Sequence, residues 1–460
     1  MNRLRREGRA GTTSPAVVLS GFIFLAFVFL FPIVANAQGA FYAEEIKDGR
    51  IYVFNDPRQY EIFKQTGELE VRISRIGAGP NGETLYFDSE NAIHLYNFKH
   101  DLPAEVILKA ETSAPTWQEK LPFKLSGYMF GDYFYNLQRD DDIANLSNVA
   151  LGGPEEFNGF LLRRIYFSYD DDISKDFAVR FRLEADSVSL DSRGKITVFV
   201  KDAYLRWKNL GKNEFIFGIQ PPPAYEVSEA AWAYRSLEKT IMDLRGIVSS
   251  RDIGVSLKGK LDGSGKYGYW VMFGNGSGNN PETDKFKRLY GHFEWRPTEK
   301  FVATIYQDYR ALPDIADPND PSIFVDNSSY TTAWFAGYGV KDRYNIGYEG
   351  FLTRQENGVR ISAAPTAALD DRKALGHSFW AWYNFTPKIG VVGRYDYLEP
   401  NNHDTSQGDK RNLFIGSVVF KPHKNVWIMP NIYVESYEDI AGNSVKTSIT
   451  PRVTMYYIFL

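Results

Sequence analysis

Cysteine is missing from all 460 residues. That absence removes disulfides, thiolate metal sites and cysteine nucleophiles together. Histidine is scarce. His94, His100, His292, His377, His403 and His423 form no HExxH and no i, i+4 pair, so a histidine metal centre has no spacing to support it. Helix-favouring Ala, Leu, Glu and Lys runs are few. After residue 37 no apolar run approaches the roughly 20 residues that a spanning helix needs, so a membrane role for the mature chain requires strands. A net charge of −4 leaves no basic footprint for nucleic acid. No G-x-S-x-G occurs, and no sequence spacing defines a Ser–His–Asp triad.

What the chain has in abundance is aromatic residues, with 33 Phe, 29 Tyr and 9 Trp. Tyr, Phe, Val, Thr and Gly fill most segments, as strands and turns require. The first 37 residues read as an export signal. Arg3, Arg5, Arg6 and Arg9 form a basic region, Val17 to Val34 is mostly apolar, and Ala35-Asn36-Ala37 supplies a small–x–small cleavage pattern. Cleavage would remove four arginines and one glutamate, taking the net charge from −4 to −7. No cysteine follows for a lipid anchor.

Residues 38–120 read as a small mixed α+β domain with a linker. Asp56-Pro57 opens a helix to Thr66, and Ser89 caps a second to Lys99. Gly77, Gly79 and Gly82 match G-x-G-x-x-G, but a strand rather than a helix follows them, so they read as turn glycines and not as a dinucleotide site.

From residue 121 to 460 the chain reads as about sixteen successive strands. The stretch FAVRFRLEAD shows the pattern. Phe177, Val179, Phe181 and Leu183 alternate with Arg180, Arg182, Glu184 and Asp186, and successive side chains of a strand point to opposite faces. The segments fall near 123–137, 158–170, 175–188, 195–209, 213–220, 251–261, 266–276, 285–296, 299–310, 327–341, 343–354, 373–386, 388–399, 410–422, 425–437 and 446–460. Short connections alternate with long ones, as in outer-membrane barrels with their turns on the periplasmic side. So many half-charged strands, with almost no helix to cover them, leave a soluble fold short of apolar partners. A transmembrane antiparallel β-barrel resolves this. Its apolar face meets lipid and lipopolysaccharide, its polar face meets a water-filled lumen, and it has no open edge. Trp207, Trp295, Tyr383 and Tyr457 lie toward strand ends, where an interfacial girdle belongs. Arg163 and Lys201 fall on the apolar parity, which places them at the outer rim or marks a slip in register. Asp140–Asp142 and Asp170–Asp172 read as solvated turn acids.

The lumen expectation is a mixed wall. Arg164, Arg180, Arg182, Arg206, Lys258, Arg394 and Arg452 oppose Glu184, Asp186, Asp202, Asp252, Asp308 and Asp396. Opposed rows of charge set up a transverse field that orients small polar solutes, whereas rings of one sign select ions of the other. Paired charges that merely brace the wall are the alternative.

GYMFGDYFYN (127–136), FLLRRIYFSYDD (160–171), KDAYLRW (201–207), FGIQPPPAYE (217–226), RDIGV (251–255) and FGNGSG (273–278) stand in an order that resembles the phosphate-selective porin O and P family of bacterial outer membranes. The resemblance covers most of 120–460 and leaves 38–115 unassigned. It implies a sixteen-stranded porin, a homotrimer, and a third long loop folded into the lumen. That loop is 221–250, with a short helix over Ser228–Asp243 and with Glu226, Glu229, Arg235, Lys239 and Arg245 as its constriction charges. The family couples phosphate selectivity to a strongly basic constriction, whereas this loop is charge-balanced. The expected cargo is therefore small anions or polar solutes, phosphate among them, with no cofactor. Two other readings remain: a scaffold whose residues 38–115 contact cell wall or a periplasmic partner, and an outer-membrane hydrolase.

Overall fold

A computed structural model describes residues 41–69, 73–102, 123–140, 153–362, 364–403, 409–439 and 444–460. They fall into two compact units divided at Leu102. The expected signal peptide, 1–37, and the linker up to 120 lie outside the described residues.

The first unit contains β1 (Ala43–Lys47), β2 (Arg50–Phe54), α1 (Pro57–Thr66), β3 (Ile73–Arg75), β4 (Thr84–Phe87) and α2 (Glu90–Lys99). The sheet order is β1-β2-β4-β3, with β2 and β4 parallel. Asp56 caps α1 by accepting from the Arg58 N–H, and Ser89 caps α2 by accepting from Ala92 N–H, as the turn residues predict. Val53, Phe54, Phe63, Phe87 and Tyr96 form its buried centre. Gly77 and Gly82 adopt left-handed turn conformations between β3 and β4. Strand β1 is absent from the sequence reading, because Ala43-Glu44-Glu45 has poor strand propensity. Glu44 accepts from Tyr42, from Lys99 at 3.0 Å and from His100 at 2.8 Å. Burial opposes its charge, yet these partners hold the carboxyl below its usual range.

The second unit contains β5 (Phe123–Tyr135), β6 (Asn158–Asp171), β7 (Phe177–Leu190), β8 (Ile196–Leu210), β9 (Asn213–Gln220), α3 (Glu226–Trp232) and α4 (Ile241–Leu244). It continues with β10 (Asp252–Lys260), β11 (Tyr267–Gly274), β12 (Arg288–Thr298), β13 (Phe301–Arg310), β14 (Ile315–Ala316), β15 (Phe324–Val325) and β16 (Ser329–Val340). The last strands are β17 (Tyr344–Arg360), β18 (Leu369–Thr386), β19 (Ile389–Glu399), β20 (Arg411–His423), β21 (Val426–Tyr437) and β22 (Ser448–Ile458). All but β14 and β15, which form a small ribbon of their own, close into a barrel of sixteen strands. Each barrel strand is antiparallel to its neighbours, and β22 pairs with β5 to complete the circle. The terminal residues extend this seam, with Phe459 N–H donating to Gly127 O at 2.9 Å.

Register explains the outer surface. Val179, Leu205, Phe217, Val255, Phe273, Leu289, Tyr309 and Tyr330 are partners in turn across eight adjacent strands, forming an unbroken apolar row. Phe217 and Phe273 on this row remain 59% and 53% exposed, so they face outward rather than into a core. A hydrocarbon surround accommodates that surface and water does not. Trp207, Trp295, Tyr383 and Tyr457 all lie toward the ends served by short turns. Ring contacts tie them to Phe177, Phe301, Phe385 and Phe459 at 5.2–6.2 Å.

Two breaks in alternation correct the expected facing of Arg163 and Lys201. On β6 the register steps from Phe130↔Arg164 to Gly131↔Leu162, skipping Arg163. On β8 it steps from Arg182↔Asp202 to Leu183↔Val200, skipping Lys201. Each is the extra residue of a β-bulge, and each is buried instead of standing at a lipid rim.

Candidate functional site

The connection from β9 to β10 begins Pro221-Pro222-Pro223. Three residues without an N–H cannot extend the ladder, so β9 ends at Gln220. The segment then leaves the wall. The expected helix over 228–243 is two helices, α3 and α4. Ala233 takes a left-handed conformation after Trp232 and turns the chain. The reason is packing: Trp232 and Tyr234 insert among Trp380, Trp382 and Phe335, and Trp232 Nε1 donates to Glu238 O at 2.7 Å.

Partners of this segment lie around the far wall. Ser228 Oγ donates to Glu349 of β17 at 2.8 Å, and Trp382 of β18 donates to Ala231 O at 3.1 Å. Arg394 of β19 donates to Lys239 O, and Tyr433 of β21 to Glu238. Arg245 meets Glu435 of β21 at 2.7 Å, and Arg452 of β22 reaches Leu237 O at 3.2 Å. In the barrel order these strands stand opposite β9 and β10. A connection that reaches them crosses the interior. The bulge residues fasten it from the near side. Arg163 donates to Leu237 O at 3.1 Å and to Ser236 O while paired with Asp132 at 2.5 Å. Lys201 reaches Ser250 at 2.8 Å and Glu184 at 2.9 Å.

This traverse sorts the residues expected to line the lumen. Arg394, Arg452 and Arg245 are buried between wall and loop. Arg394 pairs with Asp396 at 2.6 Å and lies over the Trp232 ring, and Arg452 lies 4.1 Å from the Tyr433 ring centroid. They brace the loop and do not face water. Arg164 is likewise tied to Glu184 and Asp186, at 2.8 and 3.3 Å. Arg180, Arg182, Asp202, Arg206 and Lys258 stay together, with Glu226, Glu229 and Arg235 of the loop, around a cavity of about 330 Å3. Lys239 lies apart, 3.7 Å from Asp243.

The cavity holds more cations than the sequence reading assembled. Lys201 and Arg251 join Arg180, Arg182, Arg206, Arg235 and Lys258, against only Asp202, Glu226 and Glu229. Carboxylates outside the lining balance part of this excess. Arg180 pairs tightly with Asp170 at 2.6 Å, and Arg235 with Asp243 at 2.6 Å. Other pairs are loose. Arg206 and Lys258 share one carboxylate, Glu214, at 3.9 and 3.6 Å, and Arg182 stands 3.6 Å from an Asp202 already engaged by Arg251. Arg182 also donates through Nε to Ser168 at 2.7 Å, and none of the three has a carboxylate within 3.5 Å among the described residues. The acid triplet at 170–172 works as ion-pair partners: Asp170 with Arg180, and Asp172 with Lys208 at 2.7 Å. Lys201 and Arg251 escaped the sequence reading for different reasons. The parity break at Lys201 was the visible signal, whereas Arg251 sits at a strand margin where alternation says nothing.

No family model matches the chain, and no curated protein matches it. Solved structures do. The outer membrane channel DcaP of Acinetobacter baumannii superposes with a TM-score of 0.52 at 12% identity, covering 73% of this chain and 97% of that one. The anion-selective porin from Comamonas acidovorans gives 0.50 at 10% identity, covering 73% and 99%. At these identities the likeness is one of barrel fold.

Proposed function

We propose that this chain is a bacterial outer-membrane porin, a non-catalytic passage for small anions and polar solutes, narrowed by residues 221–250. One observation carries the reading. The loop is fastened to the wall from β17 to β22, while the cations of β7, β8 and β10 remain grouped around open volume. A passage displaced toward that strip presents loosely paired positive charge to whatever enters, and such charge favours anions. Glu226 and Glu229 on α3 face the strip and supply the other pole of a transverse field. Phosphate, the solute that the resemblance to phosphate-selective porins suggests, belongs to the same class of small anions. A homotrimer and a periplasmic position for the first unit, in contact with cell wall or a partner, complete the reading.

Reversal potentials in planar bilayers across a KCl gradient test it. The purified chain is expected to prefer chloride, and Arg206→Gln with Lys258→Gln to lower that preference several-fold. A chain that passes no current, or prefers potassium, overturns the proposal.

A further inference from the structure

A second cavity, of about 380 Å3, adjoins the basic one and shares Tyr128, Glu226, Glu229 and Arg235 with it. Its remaining wall is different in kind. Phe130, Trp427 and Tyr456 line it opposite the loop's Ala230 and Ala233. The rings form a ladder: Tyr166 to Tyr128 at 4.7 Å, Tyr128 to Tyr456 at 5.7 Å, and Tyr456 to Trp427 at 4.9 Å between centroids. Tyr128, Tyr456 and Trp427 are only partly buried. The rings are tilted by 35–53° to one another, and apolar ring surface beside open volume is costly to leave against water and can take a planar solute stacked on one ring and edge-on to the next.

Resting on the channel reading above, we propose that the passage selects a planar ring bearing a single anionic group, with an aromatic carboxylate as the simplest member. The ring stands against Tyr128 and Tyr456, with Trp427 packed beside Tyr456. The anionic group turns toward the loosely paired Arg182 of β7, two strands from Tyr128, whose guanidinium lies 5.7 Å from the Tyr166 ring centroid; the wall of the basic cavity joins the aromatic one through Tyr128 and Arg235. Glu226 lines both cavities and carries the charge that disfavours a second anionic group on the same ring. Neither wall alone accounts for the pairing. Charge alone favours every small anion equally, and rings alone admit aromatic cations as readily, since cations also bind ring faces.

The experiment uses the full chain in planar bilayers carrying chloride. Sodium benzoate, sodium acetate, disodium phthalate and benzylammonium chloride are titrated separately, and the concentration that halves the current is read for each. Benzoate is expected to act at roughly tenfold lower concentration than acetate or phthalate, the factor one ring contact of ordinary strength supplies. Benzylammonium is expected to act last. In Trp427→Ala with Tyr456→Ala the benzoate-to-acetate ratio falls to within about twofold. Trp427→Phe with Tyr456→Phe keeps rings in place and keeps the ratio, which guards against a folding defect in the truncated pair. Equal action of benzoate and acetate on a wild-type channel that still conducts chloride overturns this inference and leaves the porin reading standing. Absence of chloride current overturns both.

Discussion

Arg163 holds two carbonyls of the interior loop and the Asp132 carboxylate from a position that strict alternation assigns to lipid. The bulge turns it inward, and the same device turns Lys201 toward Ser250 and Glu184. Both bulges therefore serve one end, securing the segment that crosses the barrel. Arg163→Gln removes the charge and leaves Asp132 buried without its partner, a change that costs about 3–5 kcal/mol in buried pairs generally. The barrel has sixteen paired strands to absorb that loss, whereas the loop loses its hold on β6 at Ser236 and Leu237. Single-channel recordings of Arg163→Gln are thus expected to show a larger and noisier conductance from a barrel that still resists detergent. An unchanged trace would mean that Arg163 does not restrain the loop.

At the scale of elements, β9 is the shortest wall next to the loop's departure point and depends on close backbone approach. Gly218 has φ of +129° and pairs with Tyr204. A Cβ there would collide with the Ala203 carbonyl oxygen. Gly218→Ala is therefore expected to cost about 1–3 kcal/mol through backbone strain. The temperature at which the barrel unfolds in detergent should fall, while an alanine at Gly159, where a side chain meets open space, should leave it unchanged. Strands β17 and β18 run longer than their pattern suggests, to Arg360 and from Leu369. Beyond the apolar belt pairing continues without alternation, because a hairpin in water needs no oily face. Alternation could not mark those ends for the same reason.

The whole molecule divides into two units, each with its own buried centre. A chain lacking residues 41–102 is expected to keep its conductance and anion preference in bilayers, since no residue assigned to the passage lies there. Loss of conductance would assign the first unit to the channel itself. Legibility also differs by scale. All sixteen strands could be found from the sequence because facing repeats every two residues, a purely local property. Arg180, Arg182, Asp202, Arg206 and Lys258, which line one cavity, were legible as inward-facing for the same reason. That Arg245, Arg394 and Arg452 brace rather than line was not, because each depends on a partner brought from a distant part of the chain. Arg452 and Leu237, for example, are 215 residues apart.

The amino-acid order alone thus determined strand number, the apolar belt and the sorting of turns from loops, since each follows from neighbours on one strand or hairpin. Only the closed barrel decided which charges meet water. Closure sets the loop against one wall and leaves the other open, and the exposure of a side chain depends on what the fold places across from it.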